Sequence, residues 1–192
     1  MSDLEAAVEA IESGELVVYP TETVYGLGAD ALDPAAVARV FDAKGRDRDE
    51  PISMAVPDLN TAIEYTAPTA TERAFMHEFL PGPVTVLVER REMVPDVLTA
   101  GREQVGIRIP DHELALALLE RAAPITATSA NVSGQQSARR VADLDSITDS
   151  VAVVLDGGET GGTGSTVVDV ETGDIHRRGA EADAVEAWLD GR

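Results

Sequence analysis

Four polar stretches hold most of the residues that could do chemistry: 20–28, 44–51, 128–137 and 161–166. Arg108 stands apart from them, inside an apolar run. Lys44, Arg46 and Arg48 are donors suited to phosphate, and arginine can bind two oxygens at once. Thr21, Thr23, Thr128, Ser129, Asn131 and Ser165 are neutral hydrogen-bonding groups suited to a sugar, a base edge or a small polar substrate. Arg108 could pair with a carboxylate. Taken singly, each has an ordinary explanation. Lys44 and Arg46 could be a solvated loop, Ser129 and Asn131 could cap the next segment, and Arg108 could neutralise nearby acids. Lys44 is nevertheless the only lysine in the chain, the other fourteen of fifteen basic residues being arginine.

Several chemistries are excluded. There is no cysteine, so disulfides, thiol catalysis and cysteine-based zinc sites are absent. The three histidines, His77, His112 and His176, lack ligand spacing. Neither Gly-x-x-x-x-Gly-Lys-Ser/Thr nor Gly-x-Ser-x-Gly occurs, which argues against a P-loop ATPase and an α/β-hydrolase.

The acidic residues number 35 against 15 basic, a formal net charge of −20. Such a balance repels nucleic acid and anionic membranes at low salt. Acids spread over the whole chain, with lysine depleted, resemble adaptation to a high-salt cytoplasm. In molar salt the Debye length is about 3 Å, so this charge acts as a solvation device more than as a docking face. No apolar run approaches the length of a membrane span and the N-terminus lacks a basic-then-apolar leader; a soluble, cytoplasmic protein is expected.

The elements that must position these residues alternate along the chain. Asp3 is expected to cap a helix carrying Leu4, Val8 and Ile11, ended by Gly14. Leu16–Val18 reads as a buried strand that stops at Pro20. Asp33-Pro34 is a strong helix start, with Val37, Val40 and Phe41 on the buried face. A strand over 52–56, a short helix from Asp58 and a helix over 71–80 follow. Strands over 84–88 and 105–110 come next, then a helix capped by Asp111 and a short strand over 124–127. A weak helix over 141–147, a strand over 151–155 and a glycine-rich segment from Asp156 lead to the strand 167–170. A turn at 171–174 makes a hairpin with 175–177, and a final helix runs over 181–189. No repeat or linker divides the chain. The pattern implies one α/β domain over residues 1–192 on a mixed sheet, since the hairpin cannot be parallel. Loops sharing one edge of the sheet could then converge on a ligand.

Read together, the motifs resemble a known family. Pro20–Gly28 (PTETVYGLG), Lys44-x-Arg46 with Pro51, Pro81–Thr85 (PGPVT), Gly106–Pro110 (GIRIP), Thr128–Gly134 (TSANVSG) and Gly164–Asp169 (GSTVVD) look like the YrdC-type domain of the threonylcarbamoyl-AMP synthases. They occur in that family's order and span about residues 5 to 180. The resemblance implies a twisted mixed sheet flanked by helices, with a concave ligand cleft. It also implies a nucleotidyltransferase that makes threonylcarbamoyl-AMP and pyrophosphate from L-threonine, bicarbonate and ATP with Mg2+. The product would pass to a separate threonylcarbamoyl transferase complex that modifies tRNA, so tRNA is only an indirect partner. Carried over by motif, Lys44, Arg46, Ser129 and Asn131 are expected at the phosphates and the reacting centre. Thr21, Arg108, Thr128 and Ser129 are expected around threonine, with Arg108 facing its carboxylate. Ser137, Ser165 and Arg177 match nucleotide-contacting positions.

Two departures from the family pattern stand out. Arg177-Arg178-Gly179 replaces the usual Arg-Pro-Gly, which leaves open which arginine serves. No counterpart of the additional C-terminal domain of longer members is expected, so the resemblance is to the short form, with any lid function absent or supplied by a loop. Two other functions fit less well. A carbamoyl-transfer domain of the hydrogenase-maturation type is normally joined to zinc-binding segments, and a non-catalytic RNA-binding module would want a basic, aromatic-interleaved stripe.

Overall fold

The chain enters its first helix, α1 (Asp3–Glu12), through a reciprocal cap one residue earlier than expected. Ser2 Oγ accepts the Glu5 N–H at 3.3 Å and Glu5 Oε2 accepts the Ser2 N–H at 2.9 Å. Asp3 therefore sits in the first turn, where its charge complements the helix dipole instead of capping it. The computed structural model describes residues 2–144 and 146–192. Its further helices are α2 (Pro34–Lys44), α3 (Leu59–Tyr65), α4 (Ala70–Phe79), α5 (Asp96–Thr99), α6 (Glu113–Ala122) and α7 (Ala182–Asp190). The strands are β1 (Val17–Tyr19), β2 (Gly26–Gly28), β3 (Ser53–Ala55), β4 (Val84–Glu89), β5 (Gln104–Arg108), β6 (Ile125–Ser129), β7 (Val153–Val154), β8 (Thr166–Asp169) and β9 (Asp174–Arg177).

Most expected elements are present, and the differences have local causes. Asp33 caps α2 by accepting the Ala35 N–H at 2.9 Å, with Pro34 at the first helical position as expected. At α6 the N-cap is His112, in extended backbone, and no side chain caps the helix; helical geometry begins too late for Asp111 to do so. Strand β2 and the one-turn α5 were not expected, because Gly-Leu-Gly has no β-branched residue and four residues carry no periodic signal. The expected helix over 141–147 includes Asp145, which lies outside the described residues. On either side of it the chain forms 3-10 turns, Val141–Asp143 and Ser146–Ser150.

All nine strands join one mixed sheet in the order β7-β1-β2-β6-β3-β5-β4-β8-β9. β1 with β7, β3 with β5 and β4 with β8 are parallel, and the other neighbours are antiparallel. Successive strand residues face opposite sides. One side carries Val18, Met54, Val84, Val86, Val88, Val105, Ile107 and Val168, all at most 2% exposed and packed in the main core with Val37, Val40 and Phe41 of α2 and Phe75 of α4. Trp188 of α7 closes this layer edge-on against Phe75, ring centroids 5.0 Å apart.

The other side is only half covered. There α1 and α6 pack Ala7, Ile11, Ala115, Leu118 and Leu119 onto Val17, Tyr19, Ala55 and Ile125. The same face of β4, β5 and β8 carries Thr85, Leu87, Gln104, Gly106, Val167 and Asp169, and these residues line the cleft.

Candidate active site

The uncovered face is the floor of a cleft of about 770 Å³. The site thus lies on the face of the sheet, and not at a strand edge as the general rule for open α/β sheets suggests. Cross-strand register makes the floor continuous, pairing Thr85 with Val167, Leu87 with both Gly106 and Asp169, and Ser53 with Ala127. Gly106 keeps it open: a Cβ there would run into Ser53 Oγ and lie 2.9 Å from Thr85 Cγ2.

Each of the four polar stretches contributes to the walls. Thr21, Thr23, Arg46, Glu50, Thr128, Ser129, Ser137, Gly164 and Ser165 all line the cleft, together with Arg108 and Arg177. The first stretch is a strand–turn–strand, with β2 pairing Gly26 to Tyr19 and Gly28 to Val17. A Cβ on Gly26 would stand 2.9 Å from Tyr19 Cζ, and one on Gly28 would stand 3.1 Å from Tyr19 Cε1. Both glycines therefore make room for the Tyr19 ring. That ring is itself buried, its hydroxyl pushed well above the usual phenol range and hydrogen-bonded to the Thr126 carbonyl at 3.2 Å. The turn is tied by Thr21, whose Oγ1 donates to the Val24 carbonyl at 2.6 Å and accepts the N–H groups of Thr23 and Val24 at 3.2 and 3.3 Å. Thr21 lines the cleft while its hydroxyl serves its own loop.

Arg46, Arg108 and Arg177 converge on this cleft in a chain of net charge −20. Arg177 senses the other two. Burial lowers its pKa first, and the charges of Arg108 and Arg46 lower it further. Each guanidinium is held by backbone. Arg46 donates to the carbonyls of Glu50 at 3.1 Å and Pro51 at 3.0 Å. Arg177 donates to the Ser165 carbonyl at 2.9 Å and to Ser165 Oγ at 2.8 Å, and that hydroxyl lies 2.9 Å from Thr85 Oγ1. Arg108 Nη1 donates to the Gly82 and Ile109 carbonyls, while Nη2 donates to Glu22 Oε1 at 2.7 Å. Its Nε–H has no hydrogen-bond acceptor among the described residues. Arg46 and Arg108 are also paired with Glu50 and Glu22, so the cleft presents guanidiniums held in place, as preorganised donors are, beside carboxylates.

Two expected site residues stand behind the wall. Lys44, the last residue of α2, is 1% exposed, and its Nζ donates to the carbonyls of Ser129 and, at 2.8 Å, of Asn131. The Ser133 N–H returns a bond to the Lys44 carbonyl at 2.8 Å. Burial lowers the ammonium pKa to about 8, with the charge of Arg46 adding to the effect. Asn131 donates to the Val132 and Gln135 carbonyls at 2.9 and 3.0 Å and accepts from Ser137 Oγ at 3.4 Å. Lys44 and Asn131 therefore shape the 129–137 wall without themselves lining the cleft. Between the two C-terminal arginines the geometry is clear-cut. Arg177 lines the cleft, whereas Arg178 is exposed and paired with Asp183 and Glu186.

Sequence reasoning gave no role to Thr85, Glu22, Gln104, Asp169 or His176. Thr85, Glu22 and Asp169 lie inside motifs, so their position was signalled though not their contacts. Gln104 and His176 reach the cleft through strand alternation and register, which single-sequence periodicity does not assign to a face.

Comparison with known proteins places this architecture. Residues 9–179 match the family model Sua5/YciO/YrdC, described as telomere recombination. A threonylcarbamoyl-AMP synthase of Pyrococcus abyssi is 43% identical over 174 residues, covering 87% of this chain and 50% of that protein. The Bacillus subtilis protein of that name is 44% identical, covering 84% of this chain and 48% of its own length. The chain thus spans about half the length of these curated relatives. Among solved structures, P. abyssi Sua5 complexed with L-threonine superposes with a TM-score of 0.84 at 37% identity, covering 96% of this chain and 58% of that one. With a family model spanning the strands and the cleft with Arg46, Arg108 and Arg177, and relatives this similar, the chain belongs to the Sua5/YciO/YrdC family.

Proposed function

We propose that this chain forms L-threonylcarbamoyl-AMP and pyrophosphate from L-threonine, bicarbonate and ATP, supplying the activated group for threonylcarbamoyl-adenosine in tRNA. The observation that carries this reading is the convergence of Arg46, Arg108 and Arg177 on one open sheet face of a strongly acidic chain. The names of the relatives, and the L-threonine bound by P. abyssi Sua5, support the substrate class.

The reaction brings anions together, and the residues present suit that task. Arg108, with its Nε–H facing no protein acceptor, would take the threonine carboxylate. The amine attacks the carbon of CO2 with loss of a proton, or of bicarbonate with loss of water, to give a carbamate. A carbamate oxygen then attacks the α-phosphorus, the bond from α-phosphorus to the bridging oxygen breaks, and pyrophosphate leaves. Arg46 and Arg177 would hold the phosphates as charge grows on the leaving group, with Ser129, Ser137 and Ser165 as neutral donors. Such preorganised donors contribute several kcal/mol of barrier lowering. No protein nucleophile is required, and positioning does most of the work. Thr21, Thr128 and the Lys44-braced 129–137 wall set the shape of the pocket.

Among the described residues there is no group of three or more His, Cys, Asp or Glu placed to hold a metal. The Mg2+ expected with ATP therefore has no such group to hold it among the described residues. It would arrive on the triphosphate, as Mg2+ often does. The downstream transferase complex is proposed as the recipient of the product. No described helix is long and apolar enough to cross a membrane.

The test is identification of the product by mass. Incubation with 13C-bicarbonate, L-threonine and ATP should give an adenylate carrying the label. An unlabelled adenylate of threonine itself would sink the carbamoylation step.

A further inference from the structure

Glu22 is the carboxylate nearest in kind to the substrate group that Arg108 is proposed to bind. Its Oε1 accepts from Arg108 Nη2 at 2.7 Å, with the two side chains only 7% (Arg108) and 19% (Glu22) exposed. Its other oxygen, Oε2, is buried and has no hydrogen-bond partner among the described residues. A buried carboxylate oxygen left bare is unfavourable, so the pair is a poor device for stability. Nor is Glu22 needed to aim the guanidinium, since the Gly82 and Ile109 carbonyls already hold Nη1. The backbone around Glu22 is pinned independently. The Gly161 N–H donates to the Glu22 carbonyl at 3.2 Å and the Gly162 N–H to the Thr23 carbonyl at 2.6 Å.

We infer that Glu22 is an internal carboxylate that competes with the amino-acid carboxylate for Arg108 and so weakens the grip of the cleft on both substrate and product. The inference rests on the proposed reaction. There the threonine carboxylate survives unchanged into threonylcarbamoyl-AMP, so a bare Arg108 would hold reactant and product alike. Uniform binding of that kind does not speed the chemical step, and it slows release. A neighbouring negative charge reduces it. Glu22 acts through the charge it sets against Arg108 and touches no reacting atom.

The test is calorimetric titration of L-threonine into the full chain and into Glu22→Gln, Glu22→Ala and Arg108→Gln, with steady-state kinetics beside it. Glu22→Gln is expected to bind threonine roughly three- to tenfold more tightly, the scale of one nearby charge at a half-buried site. Its kcat should fall by a similar factor while KM for ATP stays unchanged. A merely structural role would not tighten binding. Glu22→Ala should move in the same direction, so whichever variant folds decides the matter. Equal or weaker threonine binding overturns the inference, as does failure of both variants to fold. Arg108→Gln separates this from the parent reading. If it still binds threonine, the assignment of Arg108 itself falls. If it loses threonine while Glu22→Gln binds as wild type, only the role of Glu22 falls.

Discussion

The ammonium of Lys44 donates to the carbonyl of Asn131 at 2.8 Å, and neither side chain lines the cleft. The only lysine of the chain thus works as a brace behind the 129–137 wall as well as a charge beside Arg46. Lys44→Ala should abolish adenylate formation and also lower stability, by about 2–4 kcal/mol. It leaves two carbonyls without their donor and opens a cavity. Lys44→Met, which keeps the packing, should recover part of the stability and none of the activity. Urea unfolding alongside the pyrophosphate assay checks both expectations.

The lowered pKa of Lys44 has a definite pH signature. In the folded chain the ammonium titrates at about 8, against 10.5 for an ordinary lysine. Between those values the unfolded chain binds more protons than the folded one. The Lys44 contribution to stability therefore rises with pH across that window, and its penalty is full below it. Nucleotide affinity should move the opposite way, since the positive charge behind the 129–137 wall, beside Arg46, is lost above pH 8. Binding of a non-hydrolysable ATP analogue without threonine, followed from pH 7 to 9.5, should weaken through a single step near pH 8.

Arg177 and Arg178 are adjacent in sequence and opposite in environment. Arg177→Gln should weaken nucleotide binding at least tenfold, because it removes a held donor to Ser165 and a charge facing the cleft. Arg178→Gln touches only exposed pairs with Asp183 and Glu186, and should stay within about 0.5 kcal/mol of wild-type stability with unchanged binding. Fluorescent nucleotide titration distinguishes the two.

Gly106 is the point where the floor tolerates no side chain. Gly106→Ala should destabilise the fold by about 1–3 kcal/mol, as overpacking does, and raise KM by narrowing the cleft between Ser53 and Thr85. Thermal melting and steady-state kinetics on the purified variant give the two numbers.

These residues also show what could be read beforehand. The cap of α2 follows from Asp33-Pro34 and its buried face from helical periodicity, and the β-branched run Val84–Val88 identifies β4. Which face of that strand is covered does not follow, because it depends on where α1 and α6 come to rest, and that is a long-range packing outcome. Gly26–Gly28 is a strand that the sequence did not signal, and its glycines admit the ring of Tyr19 while Gly26 also lines the cleft. Lys44 read as a loop cation, and the structure places it at the buried end of α2. Residue type announced its chemistry there, and only the distant Ser129 and Asn131 carbonyls explain its burial. Motif order brought Thr21, Arg46, Arg108, Ser129 and Arg177 to one cleft, while Glu22 emerged only from the contact it makes with Arg108.

The central claim is that the three arginines serve one adenylation requiring an amino acid and a one-carbon anion together. The direct measurement is pyrophosphate release from ATP by the purified chain, at matched salt, with L-threonine and bicarbonate present together and each omitted in turn. Release only when both are present is the result expected. Release that persists without threonine, or no release with all three substrates at salt that keeps the chain folded, would contradict the account.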